Sequence, residues 1–388
     1  MIRIGVVVQR YGSTVLGGAE TLAREVAERL NAADFDITVF TTTARDYVTW
    51  ENEYPAGESI LRGVRIRRFP VERVRDIDRF NRRSEAFFSQ PPASRNEEEW
   101  IAEQGPVVPS MIDALAAAQN DIDLFMFFTY LYYPTIKGLE VVSKPAVLFP
   151  TAHEEPPLFL EVMKHVFSRP QALFFLTQAE MDLVNRVFSP SGRMELVRTG
   201  IDVVDSPVAG DFRRRFMIPG PFMLFAGRIE RGKGLEEVFA AHEILHGQRL
   251  LDFVLIGKKW MDIPPLRGLK YLGFVTEEEK RAAFKAAWFS VQPSTLESLS
   301  ITTLESFAQG TSVLVNSRSA ALREHLRLSE GGLPYGSVDE FVSAARQLTD
   351  SPALRRRLGR NGRSYVTRHY TWQAVMARIE RGIREILS

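Results

Sequence analysis

Short apolar runs recur along the chain, each followed by a stretch whose apolar residues fall at helical spacing. In the first half they are RIGVVV (3–8), ITVFTT (37–42), LFMFFT (124–129), AVLFPT (146–151), ALFFLT (172–177) and MELVRT (194–199). In the second half they are FMLFAG (222–227), DFVLIG (252–257), KYLGFV (270–275), WFSVQP (288–293) and SVLVNS (312–317). Runs apolar on both faces and joined by helices predict parallel strands covered on both sides. Open sheets rarely exceed about ten strands, so the pattern predicts two doubly wound α/β sheets rather than one. The rhythm pauses at GIDVVDSPVAGDF (200–212), which is rich in turn formers. We therefore place one Rossmann-like domain over residues 1–205 and a second over 206–370. A last amphipathic helix, 371–388, has no strand after it and is expected to pack back onto the first domain. The charged, proline-rich stretch 72–108 is too long for an ordinary connection and reads as an insertion.

Composition narrows the class. The 388 residues are 45% hydrophobic and 25% charged, the balance of a soluble protein with a full core. A net charge of +1 supplies no overall field for nucleic acid or an anionic membrane, so nucleic acid is not expected as a partner. Without cysteine, disulfides, thiol catalysis and thiolate metal sites are excluded. No apolar run reaches the roughly 18 residues of a membrane span. These features predict a cytoplasmic protein, with peripheral contact at the inner membrane face left open.

Three motifs offer chemistry that their context does not support. HEILH (242–246) has the spacing of a zinc protease, but Gly247 ends the pattern and no third ligand follows. We expect His246 at the helix C-terminus and His242 at the surface. GRIERGKG (227–234) is one residue from a P-loop, yet Gly234 stands where the Mg²⁺-binding hydroxyl belongs. Asp34/Asp36 and Asp121/Asp123 precede strands, at the amino ends, and Asp76/Asp78 lie in an arginine-rich stretch; solvated turn residues are expected at all three pairs, with no essential metal.

Five other stretches fall at carboxyl ends of predicted strands, where ligands bind in such folds. VLGGAE (15–20) offers Gly17 and Gly18 before a helix, where backbone N–H groups can approach an anion. PTAHEEPP (150–157) offers His153, AGRIERGKG offers Gly227, Arg228 and Lys233, and GKKW follows with Gly257. The fifth, PSTLESLSITTLESFAQG (293–310), breaks its own pattern. Ile301, Leu304 and Ala308 form a core-facing stripe, yet the position beside Leu304 holds Glu305, with Glu297 upstream. Two readings of Glu305 stand open: it pairs with a buried arginine, or its face meets a polar ligand. Glu297 is either a ligand contact or an acid favoured by a helix dipole, and His153 either a ligand contact or a hydrogen-bonded core histidine.

Taken in order, GGAE, a histidine after a mid-domain strand, G-R-x4-K-G and E-S-x6-L-E resemble the retaining glycosyltransferases of family 4. The resemblance covers nearly the whole chain, is weakest across 72–108, and is most specific at Glu297-x7-Glu305. It implies the GT-B fold, with two Rossmann-like domains facing across a cleft. It also implies a UDP- or GDP-linked sugar as donor and a glycan, lipid-linked or small-molecule acceptor, with no cofactor. On that resemblance Arg228 and Lys233 meet the diphosphate, with help from N–H groups near Ser298, Leu299 and Ser300. Glu305 accepts from the ribose hydroxyls, and Glu297 and His153 contact the transferred sugar. Backbone around Gly273 and Phe274 meets the base, and Gly257 floors the pocket. A sugar-phosphate synthase of the same fold and a catalytically inactive nucleotide-sugar-binding protein are the alternatives. Finally, RGVRIRRFPVERVRDIDRFNRR (62–83) carries nine arginines. It reads as an edge strand with arginines facing water, or as a platform for an anionic acceptor or membrane lipid.

Overall fold

The computed structural model describes residues 1–388 apart from Leu16, 205–208 and 249–250. The seam drawn between 205 and 206 lies outside the described residues. The chain separates into two compact units, Met1–Arg198 with Met376–Ser388, and Thr199–Val375.

The first unit is built on eight strands: β1 (Ile2–Val7), β2 (Phe35–Thr42), β3 (Gly57–Leu61), β4 (Val64–Phe69), β5 (Leu124–Phe128), β6 (Ala146–Phe149), β7 (Ala172–Phe175) and β8 (Arg193–Leu196). Their spatial order is β3-β4-β2-β1-β5-β6-β7-β8, so the direction of winding reverses between β1 and β5. All pairs are parallel except β3–β4. β5 and β6 are buried at every residue, which is why their sequences are apolar on both faces. The expectation that VRIRRF forms the sheet edge is corrected here. β3 covers β4, and Arg68, which faces inward, is buried and donates to Ser59 Oγ at 2.7 Å and the Tyr11 carbonyl at 3.0 Å. The sequence GESIL hid that strand because it carries almost no apolar signal.

The stretch read as an insertion contains two helices, Ile77–Phe88 and Glu97–Gln104, joined around Trp100, whose ring meets Phe80, Phe87 and Phe88. Asp76 is not a loose turn residue: its carboxylate accepts from the Arg79 N–H at 2.9 Å and caps the first of these helices. Asp123 likewise pairs with Arg3 at 2.7 Å, at the amino end of the sheet. The last helix, Trp372–Leu387, places Ile379 and Ile383 fully inside the first unit. Gly382 sits so near Phe174 that a Cβ there would lie 2.5 Å from the ring.

The second unit holds β9 (Phe222–Ala226), β10 (Asp252–Ile256), β11 (Leu269–Tyr271), β12 (Phe289–Gln292), β13 (Val313–Asn316) and β14 (Gly332–Tyr335), all parallel, in the order β11-β10-β9-β12-β13-β14. The winding reverses between β9 and β12. In open α/β sheets the loops at such a reversal splay apart and leave a ligand-sized crevice at the carboxyl ends. The chain enters and leaves this unit side by side: the Ile201 N–H donates to the Tyr370 carbonyl at 2.6 Å, and the Trp372 ring covers Gly200.

HEILH lies on the helix Leu235–Gly247, and the surface position expected for His242 is corrected: this side chain is fully buried, its Nε2 2.9 Å from the Arg267 carbonyl. Burial pushes its imidazole pKa down, so it stays neutral. His246 turns to Asp252, 3.5 Å away. Among the described residues no helix is long and apolar enough to cross a membrane.

Candidate active site

The loops after β9 and β12 flank the reversal point of the second sheet, and the sequence explains their closeness. Gly227 and Gly257 end β9 and β10 with φ of 151° and 130°. A Cβ on Gly257 would lie 1.9 Å from the Gly227 carbonyl oxygen, so the two strand ends meet backbone to backbone. The Gly227 N–H donates to Ile256 at 3.0 Å and the Gly257 N–H to Gly273 at 2.8 Å, so a continuous backbone floor crosses three strand ends. Phe274, beside Gly273, is 69% exposed, an apolar face with nothing else to shield it.

Past Gly227 the chain makes a single 3₁₀ turn, Arg231–Lys233, and then enters its helix through Gly234 at φ 70°. A Cβ on Gly234 would lie 2.7 Å from the Pro293 carbonyl, so this glycine lets the β9 loop close on the β12 loop. That approach delivers Lys233 to Glu297: Nζ donates to Oε1 at 2.7 Å, with the side chains 22% and 13% exposed. Arg228 is exposed and lies 3.1 Å from Glu230 of the same loop.

Beyond Glu297 and the half-buried Ser298, the chain turns sharply at Ser300, which holds φ 72° and ψ 81°. A serine in this left-handed region costs about 1 kcal/mol or more, and the surroundings must hold it. Gln292, at the end of β12, does so by donating to Ser300 Oγ at 2.6 Å and Thr302 Oγ1 at 2.9 Å. Among the described residues the N–H groups of Leu299, Ser300 and Ile301 find no acceptor. They open the helix Ile301–Ala308, a geometry that favours an anion.

That helix buries Leu304, Phe307 and Ala308, while Glu305 takes a lysine partner rather than the buried arginine. Lys280, from the helix Glu277–Ala286, donates to Glu305 Oε1 at 2.8 Å and also reaches Glu277 at 2.9 Å. Burial pushes the Glu305 carboxyl up, and the Lys280 charge pulls against that shift. Burial also works against the Lys280 ammonium, but Glu305 and Glu277 more than offset it and hold its pKa up. One oxygen of the pair is left over: Glu305 Oε2 is buried without a hydrogen-bond partner among the described residues. A buried acceptor that is left unpaired costs roughly 1–3 kcal/mol, which an incoming hydroxyl donor would recover.

In the first unit, Gly17 precedes the helix Gly18–Asn31, and the anion at that helix start is the chain's own. Glu20 is buried, accepting from Arg10 Nε at 2.9 Å and Gln9 Nε2 at 2.8 Å. A Cβ on Gly17 would lie 2.1 Å from Glu20 Oε2 and 3.1 Å from an Arg10 nitrogen, so this glycine makes room for an internal pair. His153 follows β6, with Nε2 3.5 Å from Glu155 Oε2 and a buried Nδ1 that has no hydrogen-bond partner among the described residues. The other Glu155 oxygen accepts from Tyr130 Oη at 2.7 Å. Burial first, and Glu155 second, push the Tyr130 phenol up, so it keeps its proton and donates.

The second unit thus gathers Gly227, Arg228, Lys233, Gly257, Gly273, Phe274, Glu297, Ser298, Leu299, Ser300 and Glu305 around the carboxyl side of one sheet. Gly17, Gly18 and His153 belong to the first unit, at the ends of β1 and β6. Gln292, Lys280 and His325 escaped the sequence reading. Of the arginine-rich segment, Arg62, Arg65 and Arg67 pair with Glu28, Asp36 and Glu58, Arg83 pairs with Glu99 and Glu103, and Arg68 and Arg75 are buried.

Residues 232–381 match the family model described as "Glycosyl transferase-like". A glycogen synthase from Mycobacterium tuberculosis is 28% identical over 207 residues, which is 50% of this chain and 49% of that protein. An MMP α-(1→4)-mannosyltransferase from Mycolicibacterium hassiacum is 27% identical over 237 residues, 56% of this chain and 55% of that one. The chain therefore spans about half the length of the curated relatives it matches. Among solved structures, the sucrose-phosphate synthase of Thermosynechococcus elongatus superposes with a TM-score of 0.77 at 19% identity, covering 100% of this chain and 99% of that one. The chain has the GT-B fold of these glycosyltransferases, and Lys233 and the helix of Glu305 lie inside the segment that matches the glycosyl transferase-like model.

Proposed function

We propose that this protein is a retaining glycosyltransferase that moves a sugar from a nucleotide diphosphate to a hydroxyl of a glycan, lipid-linked or small-molecule acceptor. The observation that carries this reading is the Lys233–Glu297 contact beside helix-opening N–H groups, with a half-satisfied Glu305 on the same helix. A departing nucleoside diphosphate gains negative charge as the glycosidic bond breaks. Lys233, Arg228 and the Leu299 and Ser300 N–H groups supply positive charge that counts for more in the transition state than before it. The spare Glu305 oxygen suits two vicinal hydroxyls, as a ribose offers. Glu297, held by Lys233, receives the sugar, and His153 keeps the sugar-contact role that the resemblance implies.

No essential metal enters this reading, because two of the Asp-x-Asp pairs already serve the fold, through the Asp76 cap and the Asp123–Arg3 pair. Among the described residues no carboxylate stands out as a nucleophile, which favours front-face substitution: the bond from the anomeric carbon to the phosphate oxygen breaks as the acceptor oxygen bonds on the same face. The acceptor proton passes to the leaving phosphate. A trapped glycosyl–enzyme adduct in a mass spectrum would overturn that mechanism. An anionic acceptor or lipid headgroup, in this reading, meets Arg73, Arg79 and Arg82, the exposed arginines of the basic segment that form no ion pair among the described residues.

A thermal-shift panel of UDP- and GDP-sugars tests the donor. At about 100 times its Kd a ligand adds about 2.7 kcal/mol, or roughly 5 °C or more in a unit of this size. A shift with ATP and Mg²⁺ alone, and with no nucleotide sugar, would sink the assignment.

A further inference from the structure

His325 lies on the helix Ala320–Ser329, fully buried and outside every motif read from the sequence. Its Nε2 is 2.7 Å from the Leu299 carbonyl oxygen, and its Nδ1 is 3.2 Å from Tyr365 Oη. Tyr365 Oη is in turn 2.9 Å from Tyr370 Oη. The carbonyl only accepts, so Nε2 must carry the proton. In the neutral tautomer Nδ1 is then the acceptor for the Tyr365 hydroxyl.

What the relay holds is a peptide plane. The Leu299 carbonyl and the Ser300 N–H belong to one peptide group, and in a trans peptide they point in opposite directions. Anchoring the carbonyl on His325 therefore aims the Ser300 N–H the other way, and among the described residues that N–H has no acceptor. Ser300 sits at φ 72° as the plane turns, while Gln292 grips its hydroxyl from β12. Carbonyl and hydroxyl are thus held by separate elements, and the N–H between them is the group left to a ligand.

We propose that His325 is a positioning residue for the nucleotide-diphosphate site: by donating to the Leu299 carbonyl it orients the Ser300 N–H toward the donor's phosphate or sugar. The inference rests on the reading of this unit as the donor site, and it adds a residue 20 positions beyond Glu305 and 28 beyond Glu297. It predicts that an amide can replace the imidazole. A glutamine at 325 has an N–H₂ to donate to the carbonyl and an oxygen to accept from Tyr365, whereas leucine has neither.

The experiment compares wild type, His325→Gln, His325→Leu, Tyr365→Phe and Lys233→Ala, using UDP and GDP binding by calorimetry, hydrolysis of UDP-glucose and GDP-mannose, and crystal structures of the two His325 variants. We expect His325→Leu to weaken nucleotide diphosphate binding at least fivefold and to lower kcat for hydrolysis about tenfold to a hundredfold. His325→Gln should stay within about twofold to threefold of wild type, and Tyr365→Phe should fall between. Ser300 should leave its positive φ in the leucine variant and keep it in the glutamine variant. If Lys233→Ala loses nucleotide binding while a folded His325→Leu keeps it, the inference fails and the donor site stands. If wild type ignores both nucleotides, the donor site falls and takes the inference with it. Should His325→Leu fail to fold, the comparison of Tyr365→Phe and His325→Gln decides: equal loss in both means His325 only packs, and retention in glutamine alone upholds the relay.

Discussion

Two glycine-bearing loops, one in each unit, follow strands at the reversal points of their sheets, and they use charge in opposite ways. In the first unit the basic side chain is consumed: Arg10 is 4% exposed and meets Glu20, whose carboxylate also takes Gln9, so the loop closes on itself. In the second unit the pairing is partial. Lys233 and Glu297 share one short contact and stay partly open, and among the described residues Glu305 keeps an unmatched oxygen and three helix-opening N–H groups lack acceptors. Glycines and charges alone therefore do not mark a ligand site. Under the proposed function, what separates the second loop from the first is the capacity left unfilled at Glu305 and at one helix start.

The contrast breaks or sharpens on substitution. The largest effect should come from Lys233→Ala, which under the proposed function removes a cation that faces the leaving group; donor turnover should fall about 100-fold to 1000-fold with the fold intact by circular dichroism. Turnover at wild-type level would place the phosphate elsewhere. Gly17→Ala should act the other way round. Its Cβ would drive into Glu20, 2.1 Å off, and part a buried ion pair. A loss of roughly 1–3 kcal/mol in chemical denaturation is expected, with the UDP dissociation constant unchanged. A weakened constant in folded protein would return that loop to the donor site.

The smallest effect concerns acids at the amino end of the sheet. The hydrogen bonds from Arg3 hold the Asp123 carboxyl below its ordinary range. A depressed folded-state pKa gives stability that is present above the unfolded value and disappears as pH falls through the folded one. Asp123→Asn should thus cost at most about 1 kcal/mol at neutral pH, since the pair is partly exposed. The difference from wild type should shrink in acid, and sugar transfer should not change. An activity loss would reopen the metal question for that Asp-x-Asp pair.

Much of this arrangement could be read from residues in order. Each of the eleven apolar runs overlaps a strand; in the central strands burial on both faces leaves an uninterrupted signal, whereas β8 and β11 are only partly buried. β3 and β14 were missed for the converse reason: GESIL is exposed, and GLPY carries a proline and few apolar residues. The break in the stripe at Glu305 was visible, since a carboxylate at a leucine position violates a local rule. Lys280 and His325 left no such trace. Each sits at an ordinary helical position and acts through an element far along the chain, and spacing within one helix carries no record of what another helix brings to it. The buried His242 was misjudged for the same reason, its partner being a loop carbonyl at Arg267.

The last helix has a consequence for how the chain is made. By Val375 every residue of the second unit has been synthesised, whereas the first unit still lacks Met376–Ser388, including the fully buried Ile379 and Ile383. A ribosome thus emits the start of one unit, all of the other, and only then the piece that completes the first. The core of the first unit can therefore close only after the whole of the second unit has been synthesised.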